Sequence, residues 1–339
     1  MLFGLCVSVA CVPAGSSPLF EGTGSLSVTL SLPMGELLRG KSSDEPLAAQ
    51  LLIESEAPLD LTLTPRGHSR REVCDFPPLK LDFKKNQVPG TLLDGQNKIK
   101  LVTHCKRSKA FSRYLQQEYA IYKAYASLTD AAFRVRMLDI TYRDSAGKRK
   151  DIITQAFLIE SDRELATRLG LREVTRATVP PGLFDPGSVT TLALFQLLIG
   201  NTDWAIVKGR GEGACCHNGL LLESPKGLIV VPYDFDQAGL INAQYALPAQ
   251  GLGIRSVRQR RYRGLCVRGH VLQTSIKHLQ QRRDAITDFF PPQGPYKSAN
   301  QRARKYIDAF YTLLDDPGAR TRMIDNDCRG NGQYWNPAA

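Results

Sequence analysis

Short segments that alternate apolar and polar residues fill the first half of the chain, and they limit the folds that it can adopt. Such alternation has the period of a strand that buries one face. The segments expected to form strands are LSVTLSL at 26–32, LDLTLTP at 59–65, PLKLDF at 78–83, KIKLV at 98–102, FRVRMLDITYRD at 133–144 and DIITQAFLIES at 151–161. The first 160 residues are therefore predicted to be rich in β structure.

One helix is predicted inside this β-rich half, at 110–128. Its apolar face carries Leu115, Tyr122 and Tyr125 at nearly helical spacing, and Glu118 falls on the same face. A carboxylate that points inward is costly unless it is paired. The sequence thus calls for a cation opposite Glu118, the alternative being a partly solvated side chain.

The second half of the chain favours helices. A helical segment at 162–170 and a Pro- and Gly-rich loop at 179–188 precede a buried helix, for which Ser188 is a plausible N-cap and Gly200 the stop. The chain is expected to be helical again from about residue 240. This order predicts a two-lobed α+β fold with a cleft between the lobes.

Three regions follow from this reading. Residues 1–17 form a signal-like or lipoprotein-like segment, 18–160 a β-rich N-terminal lobe and 161–339 a helical C-terminal lobe. The first segment is apolar but lacks the basic residues of an ordinary secretory signal. A secreted or periplasmic location is expected, with a lipid anchor on Cys11 as an alternative. No apolar run is long enough to span a membrane as a helix.

Cysteine usage agrees with export. Six cysteines follow residue 70, without a CxxC pair and with only five scattered histidines in the chain. A structural zinc site is therefore not expected. Cys74 and Cys105 are the preferred disulfide, because each flanks one of two neighbouring strands, while buried free thiols remain the alternative.

The chain carries a net charge of +11 and has a pI near 9.3. A basic balance favours acidic partners such as nucleotides, nucleic acid or anionic surfaces. The arginine cluster at 255–263 lacks the interleaved aromatic residues of a platform for single-stranded nucleic acid. No motif supports nucleic-acid binding.

The stretch at 200–239 holds the side chains best suited to chemistry. Asp203 follows the end of a buried helix, Asn218 precedes an apolar strand, and Asp234 and Asp236 follow a second apolar strand. If the two strands form a hairpin, Asn218 and Asp234 lie at neighbouring ends of one sheet. Asp and Asn oxygens are typical ligands of hard divalent cations, and phosphoryl transfer requires such a cation together with a carboxylate that orients the attacking hydroxyl.

The segments GNTD, HN and PYDFD within this stretch resemble the GNxDxHxxN and P-YD pattern of HipA-type and spore-coat-protein-H (CotH) type atypical kinases. PRGHSRR at 65–71 is similar to another CotH segment. The resemblance covers about 60–240 and implies an atypical protein-kinase-like fold. It implies that Asp203 is the catalytic-loop Asp, that Asn218 and Asp234 bind metal, and that Asp236 is a second ligand.

The resemblance also implies a lysine that binds phosphate and pairs with a helix glutamate. Glu118 is the candidate glutamate. Lys100, on the strand just before the helix, is the favoured lysine, with Lys80 as the alternative. Glu160 ends a strand where kinases place the hinge between their lobes, and its backbone is expected to meet adenine.

The expected function is that of a secreted CotH-like kinase. It would transfer phosphate from ATP, with Mg²⁺ or Mn²⁺, to a hydroxyl of a protein or of an envelope component. Twelve residues, 205–216, lengthen the loop after Asp203 relative to the HipA pattern. This insertion favours an alternative, an envelope-associated structural or binding protein with a degenerate kinase fold (a pseudokinase). A third alternative is a metal-dependent hydrolase that uses Asp203, Asp234 and Asp236.

Overall fold

The computed structural model describes residues 17–54, 56–209 and 213–329. The signal-like segment, apart from residue 17, and the alternative lipid anchor at Cys11 lie outside these residues. Among the helices that are described, none is both long and apolar enough to cross a membrane.

Seven strands in the first 160 residues close into a barrel, in the order β1-β2-β3-β4-β5-β7-β6. They are β1 Leu26–Leu32, β2 Leu47–Ile53, β3 Leu59–Pro65, β4 Leu79–Phe83, β5 Lys98–Val102, β6 Val135–Asp144 and β7 Ile152–Ile159. Neighbouring strands are antiparallel, except that β1 runs parallel to β6, with Leu26 opposite Leu138 and Leu32 opposite Asp144. The β1–β6 pairing removes the free edges that an open sheet would have.

This closed barrel contradicts the predicted two-lobed, atypical protein-kinase-like α+β fold, and that prediction is wrong. The expected strands are present, and β2 is an additional one. The error lies in how the strands assemble, because β1 and β6 are more than a hundred residues apart in the chain. Local alternation shows which face of a strand is buried, but it does not identify a distant partner strand.

The apolar residues that alternate along the strands fill the barrel. Leu30, Leu63, Leu81, Leu101 and Leu158 are among the buried residues of one hydrophobic cluster that occupies this interior. A second cluster joins the helices to the outer side of β6 and β7, through residues such as Met137 and Phe157 on those strands. The barrel thus has one hydrophobic core inside and a second against its outer wall.

Nine helices lie within the described ranges. They are α1 Met34–Arg39, α2 Ser69–Val73, α3 Lys109–Ala126, α4 Asp162–Leu169, α5 Pro186–Ile199, α6 Gly269–Gln281, α7 Arg283–Asp288, α8 Lys297–Asp315 and α9 Pro317–Asp325. Three further strands, β8 Arg172–Glu173, β9 Gly219–Ser224 and β10 Gly227–Pro232, form a small sheet in the order β10-β9-β8.

Helix α5 ends where the sequence predicts and begins earlier. Gly200 closes it in the left-handed conformation, at φ 65°, which glycine adopts without strain. The N-cap is Asp185, whose side chain accepts a hydrogen bond from the Ser188 amide, so the prediction of Ser188 as the cap is wrong. The prediction that the chain is helical again from about residue 240 is also wrong, because helical structure resumes only at α6.

The predicted disulfide between Cys74 and Cys105 is confirmed. Strands β4 and β5 pair antiparallel, and the bridge lies just beyond that pairing, where Phe76 stands opposite Cys105. Two further disulfides join Cys266 to Cys328 and Cys215 to its neighbour Cys216. All six cysteines that follow residue 70 are therefore paired.

Candidate functional site

The β9–β10 hairpin brings Asn218 and Asp234 to the same end of the small sheet. Gly219 of β9 stands opposite Pro232 of β10, and the Tyr233 amide donates to the Asn218 carbonyl at 3.1 Å. Asn218 and Asp234 both have positive φ, 52° and 61°. Non-glycine residues in this region are uncommon and often occur at functional sites, because they redirect a side chain away from the regular alternation.

Asp203 joins this end of the hairpin through two side chains. The Asn218 amide nitrogen donates to the Asp203 carbonyl at 2.8 Å and to its carboxylate at 3.1 Å, and His217 Nε2 lies 2.8 Å from the other carboxylate oxygen. Asn201 accepts a hydrogen bond from the Asp203 amide and so orders the turn after α5. Because Asn218 uses its nitrogen on Asp203, its Oδ1 is left for another partner.

The long loop after Asp203 does not separate the residues that it connects. Ala205 and His217 exchange backbone hydrogen bonds at 3.0 and 3.1 Å, which closes the loop at its base. His217 and Asn218 therefore remain beside Asp203 despite the long connection. His217 has no assigned role in the sequence reading, and its contact with Asp203 adds it to the candidate site.

Glu118 points inward, as its place on the apolar face of α3 predicts, and its cation is Arg70. The Arg70 guanidinium donates to Glu118 at 2.7 Å, to Asp234 at 2.8 Å and to Asp236 at 2.9 Å. Arg70 lies on the short helix α2 and is buried. The guanidinium of Arg70 therefore connects α2, by hydrogen bonds, to α3 and to the segment that follows β10.

This group, here called the Arg70 cluster, consists of Arg70, Glu118, Asp234 and Asp236. With all three carboxylates ionised, it carries two negative charges in excess. The Glu118 and Asp236 side chains are 4% and 5% exposed, whereas that of Asp234 is 37% exposed. Buried charge needs compensation, and Asp234 is the member of the cluster through which a further cation can approach.

Burial, and to a smaller extent the neighbouring carboxylates, raise the pKa of two members of the cluster. Burial raises the pKa of Glu118 to about 7, although Arg70 opposes this effect. Burial also raises the pKa of Asp236, which lies beside Arg70 and Asp234. Both carboxyls are therefore harder to ionise than they would be in water.

The stability of the protein is consequently expected to fall as the pH rises. The folded chain holds the Glu118 proton up to about pH 7. An unfolded chain loses it near pH 4.5, so the folded state binds more protons between these values and its free energy of unfolding decreases through that window. Urea denaturation across the window should show this decrease in the wild type and a shallower one in Glu118→Gln, which has no proton to lose. Equal slopes would contradict the assignment to Glu118.

The structure does not pair Lys100 with Glu118. The Lys100 amine instead lies 2.6 Å from the Asp162 carboxylate and 4.9 Å from the centre of the Tyr233 ring. Burial lowers the pKa of Lys100, Asp162 opposes this, and the nearby Arg66 lowers it further. Lys100 therefore lies among other charged groups, next to the residue that precedes Asp234.

Lys100 also lines a cavity of about 570 Å³ between strands β4 and β5 and the start of α4. Six basic side chains line this cavity against three carboxylates: Arg66, Lys80, Lys85, Lys98, Lys100 and Arg163 against Asp162, Glu164 and Glu173. Lys80 and Lys100 stand directly opposite each other on β4 and β5. Like charges in that position repel, so the basic cavity favours an anionic occupant.

The remaining predicted site residues occupy different surroundings. Glu160 is buried, its carboxylate is held by Arg168 through two contacts of 2.9 Å, and its amide donates to the Arg134 carbonyl. Its neighbour Ser161, not Glu160, lines the basic cavity. The Asp236 carboxylate faces Arg70 and Tyr245.

Besides His217, three residues of this region are not predicted from the sequence. Arg70 is the cation that Glu118 requires, Arg66 lines the basic cavity, and the Tyr122 hydroxyl accepts a hydrogen bond from the Asp234 amide at 2.8 Å. Arg70 and Arg66 belong to the PRGHSRR segment that carries part of the CotH resemblance. That resemblance is the feature of the sequence that could have identified them as site residues. Tyr122 fits the apolar face of α3, and the sequence gives no sign of its contact with Asp234.

The residues fit a divalent cation only if a ligand completes its coordination. Within the described ranges, no group of three or more His, Cys, Asp or Glu side chains is arranged to hold a metal ion by itself. Asp234 and the Asn218 Oδ1 offer two oxygens, and Mg²⁺ is commonly bound by one or two carboxylates together with substrate phosphates. The excess negative charge of the Arg70 cluster is consistent with a divalent cation at this point.

The chain matches no protein-family model and no curated protein. The likeness to CotH-type kinases therefore rests on the motif residues, and the functional case rests on the geometry of Asp203, Asn218 and the Arg70 cluster.

Proposed function

We propose that the chain is an exported, metal-dependent phosphotransferase, as its resemblance to CotH-type kinases implies. It would move the terminal phosphoryl group of ATP to a hydroxyl of a protein or of a cell-envelope component. The observation that carries this proposal is the Arg70 cluster, which is two positive charges short of neutral when its three carboxylates are ionised and exposes Asp234 beside Asn218. The proposal does not depend on a kinase-like arrangement of lobes.

The basic cavity supplies the site for ATP. Its volume falls in the range of small-ligand pockets, and its lysines and arginines suit a triphosphate. Lys100 connects the cavity to the Arg70 cluster, because it contacts Tyr233, the residue before Asp234. A nucleotide with its phosphates near Lys100 would thus direct its terminal phosphate toward Asp234 and Asn218.

Each residue of the site then has a defined task. A divalent cation held by Asp234 and the Asn218 Oδ1, Mg²⁺ or Mn²⁺, would neutralise charge on the terminal phosphates. Asp203, kept in place by Asn218 and His217, would accept the proton of the attacking hydroxyl. The hydroxyl oxygen forms a bond to the terminal phosphorus, the bond to the bridging oxygen breaks, and ADP leaves.

The proposal predicts labelled product only when Asp234 is intact. Purified protein incubated with γ-labelled ATP and Mn²⁺ should transfer label to itself or to an envelope extract, and Asp234→Ala should reduce the rate by about 100-fold or more. Asp308→Ala, which removes an exposed carboxylate on α8, is the matched control and should keep the wild-type rate. Inorganic phosphate released without labelled product would favour the hydrolase instead.

A second candidate function is nucleotide or envelope binding without turnover. Arg70 already contacts all three carboxylates of its cluster, which is the observation that favours this reading. ATP that stabilises the protein without transfer of label would support it, and a ligand at 100 times its Kd adds about 2.7 kcal/mol to the free energy of unfolding.

The three disulfides are consistent with the proposed export, because such bonds persist in oxidising compartments.

A further inference from the structure

A second basic pocket lies away from the cavity assigned to ATP. It has a volume of about 210 Å³ and lies between α3, the turn at 240–242 and α8. Arg113, Arg258 and Arg302 line it, and its lining contains no Asp or Glu. In the part of the chain that is described, none of these three arginines forms an ion pair with a carboxylate.

Two buried polar atoms at this pocket also lack partners among the described residues. The Arg113 Nε is a donor without an acceptor, and the Gln117 Oε1 is an acceptor without a donor. Gln117 is only 3% exposed, and it lies one helical turn from Arg113 on the same face of α3. Buried polar groups are nearly always hydrogen-bonded, so such a pair calls for a ligand that can both accept and donate.

We propose that this pocket binds a phosphate ester that carries a hydroxyl group. The phosphate oxygens would accept from the guanidinium groups, which recognise phosphate through paired, charge-assisted hydrogen bonds. The ester hydroxyl would donate to the Gln117 Oε1. A pocket of this volume holds a small ester such as a glycerol or sugar phosphate, and the site stands independently of the proposed phosphotransferase.

Calorimetric titration of the full chain with glycerol 3-phosphate tests the proposal. The wild type should bind it, and Arg302→Ala should bind about 10- to 100-fold more weakly, since a hydrogen bond to a charged group is lost. Lys305→Ala removes the same charge from the same helix, but Lys305 does not line the pocket. The affinity of this variant for glycerol 3-phosphate should therefore equal that of the wild type. Lys98→Ala should also be unchanged, which separates this pocket from the basic cavity.

Titration with sulfate tests whether Gln117 accepts a hydrogen bond from the ester hydroxyl. Sulfate offers oxygens to the arginines but has no hydrogen to donate, so it should bind more weakly than glycerol 3-phosphate, and Gln117→Leu should reduce that difference. Absence of binding by the wild type, or equal weakening in Arg302→Ala and Lys305→Ala, would overturn the proposal. Because Arg302 is exposed, its replacement should leave the fold intact.

Discussion

Arg70→Met is expected to lower the free energy of unfolding by about 3–5 kcal/mol, the cost of removing one partner from a buried ion pair. The substitution keeps an unbranched side chain of similar length but leaves Glu118, Asp234 and Asp236 without their cation. Urea denaturation of the two proteins at neutral pH measures the difference. The loss should shrink toward pH 5, because Glu118 is protonated there and no longer repels the carboxylates of Asp234 and Asp236.

Arg143→Met is the matched control for this experiment. Arg143 pairs with Asp151 at the surface, where its side chain is 56% exposed. Exposed ion pairs contribute at most about 1 kcal/mol. If Arg70→Met costs no more than this control, Arg70 does not hold the cluster together.

Asp203→Asn is expected to reduce the rate of phosphoryl transfer by about 10²- to 10⁴-fold, the usual contribution of a general base. Asparagine keeps the size of the side chain but cannot accept the proton of the attacking hydroxyl. The affinity for ATP should hardly change, because Asp203 does not line the basic cavity. Transfer of label and calorimetric titration with ATP, carried out on the same preparation, separate the two effects. A variant that retains the wild-type rate would exclude Asp203 as the base.

The local elements of the fold are readable from the sequence, but the assembly is not. The alternation in 26–32, 59–65 and 98–102 matches β1, β3 and β5 residue for residue. Strand β2 was missed, because LAAQLLI combines small and apolar residues without strict alternation. Barrel closure depends on the parallel pairing of β1 with β6. These segments are distant in the chain, and the sequence of neither one indicates its partner.

In the candidate site, too, the sequence predicts the local relations but not the contacts between distant segments. Asn218 and Asp234 meet because they flank one hairpin, a local relation that sequence shows well. The periodicity of α3 places Glu118 on the buried face and so predicts that it needs a cation. It does not indicate which residue supplies that cation. Arg70 is 48 residues away, on a helix of five residues that is too short to have a readable face. Lys100 was favoured because it lies close in sequence, whereas the structure pairs it with Asp162.

Diffraction from crystals grown with Mn²⁺ and a non-hydrolysable ATP analogue, recorded at the manganese edge, tests the proposed site most directly. The proposal predicts an anomalous peak within about 2–2.5 Å of the Asp234 carboxylate and the Asn218 Oδ1, with the triphosphate extending from the basic cavity. A nucleotide that binds elsewhere, or a cavity filled by nucleotide with no manganese between Asn218 and Asp234, would contradict it.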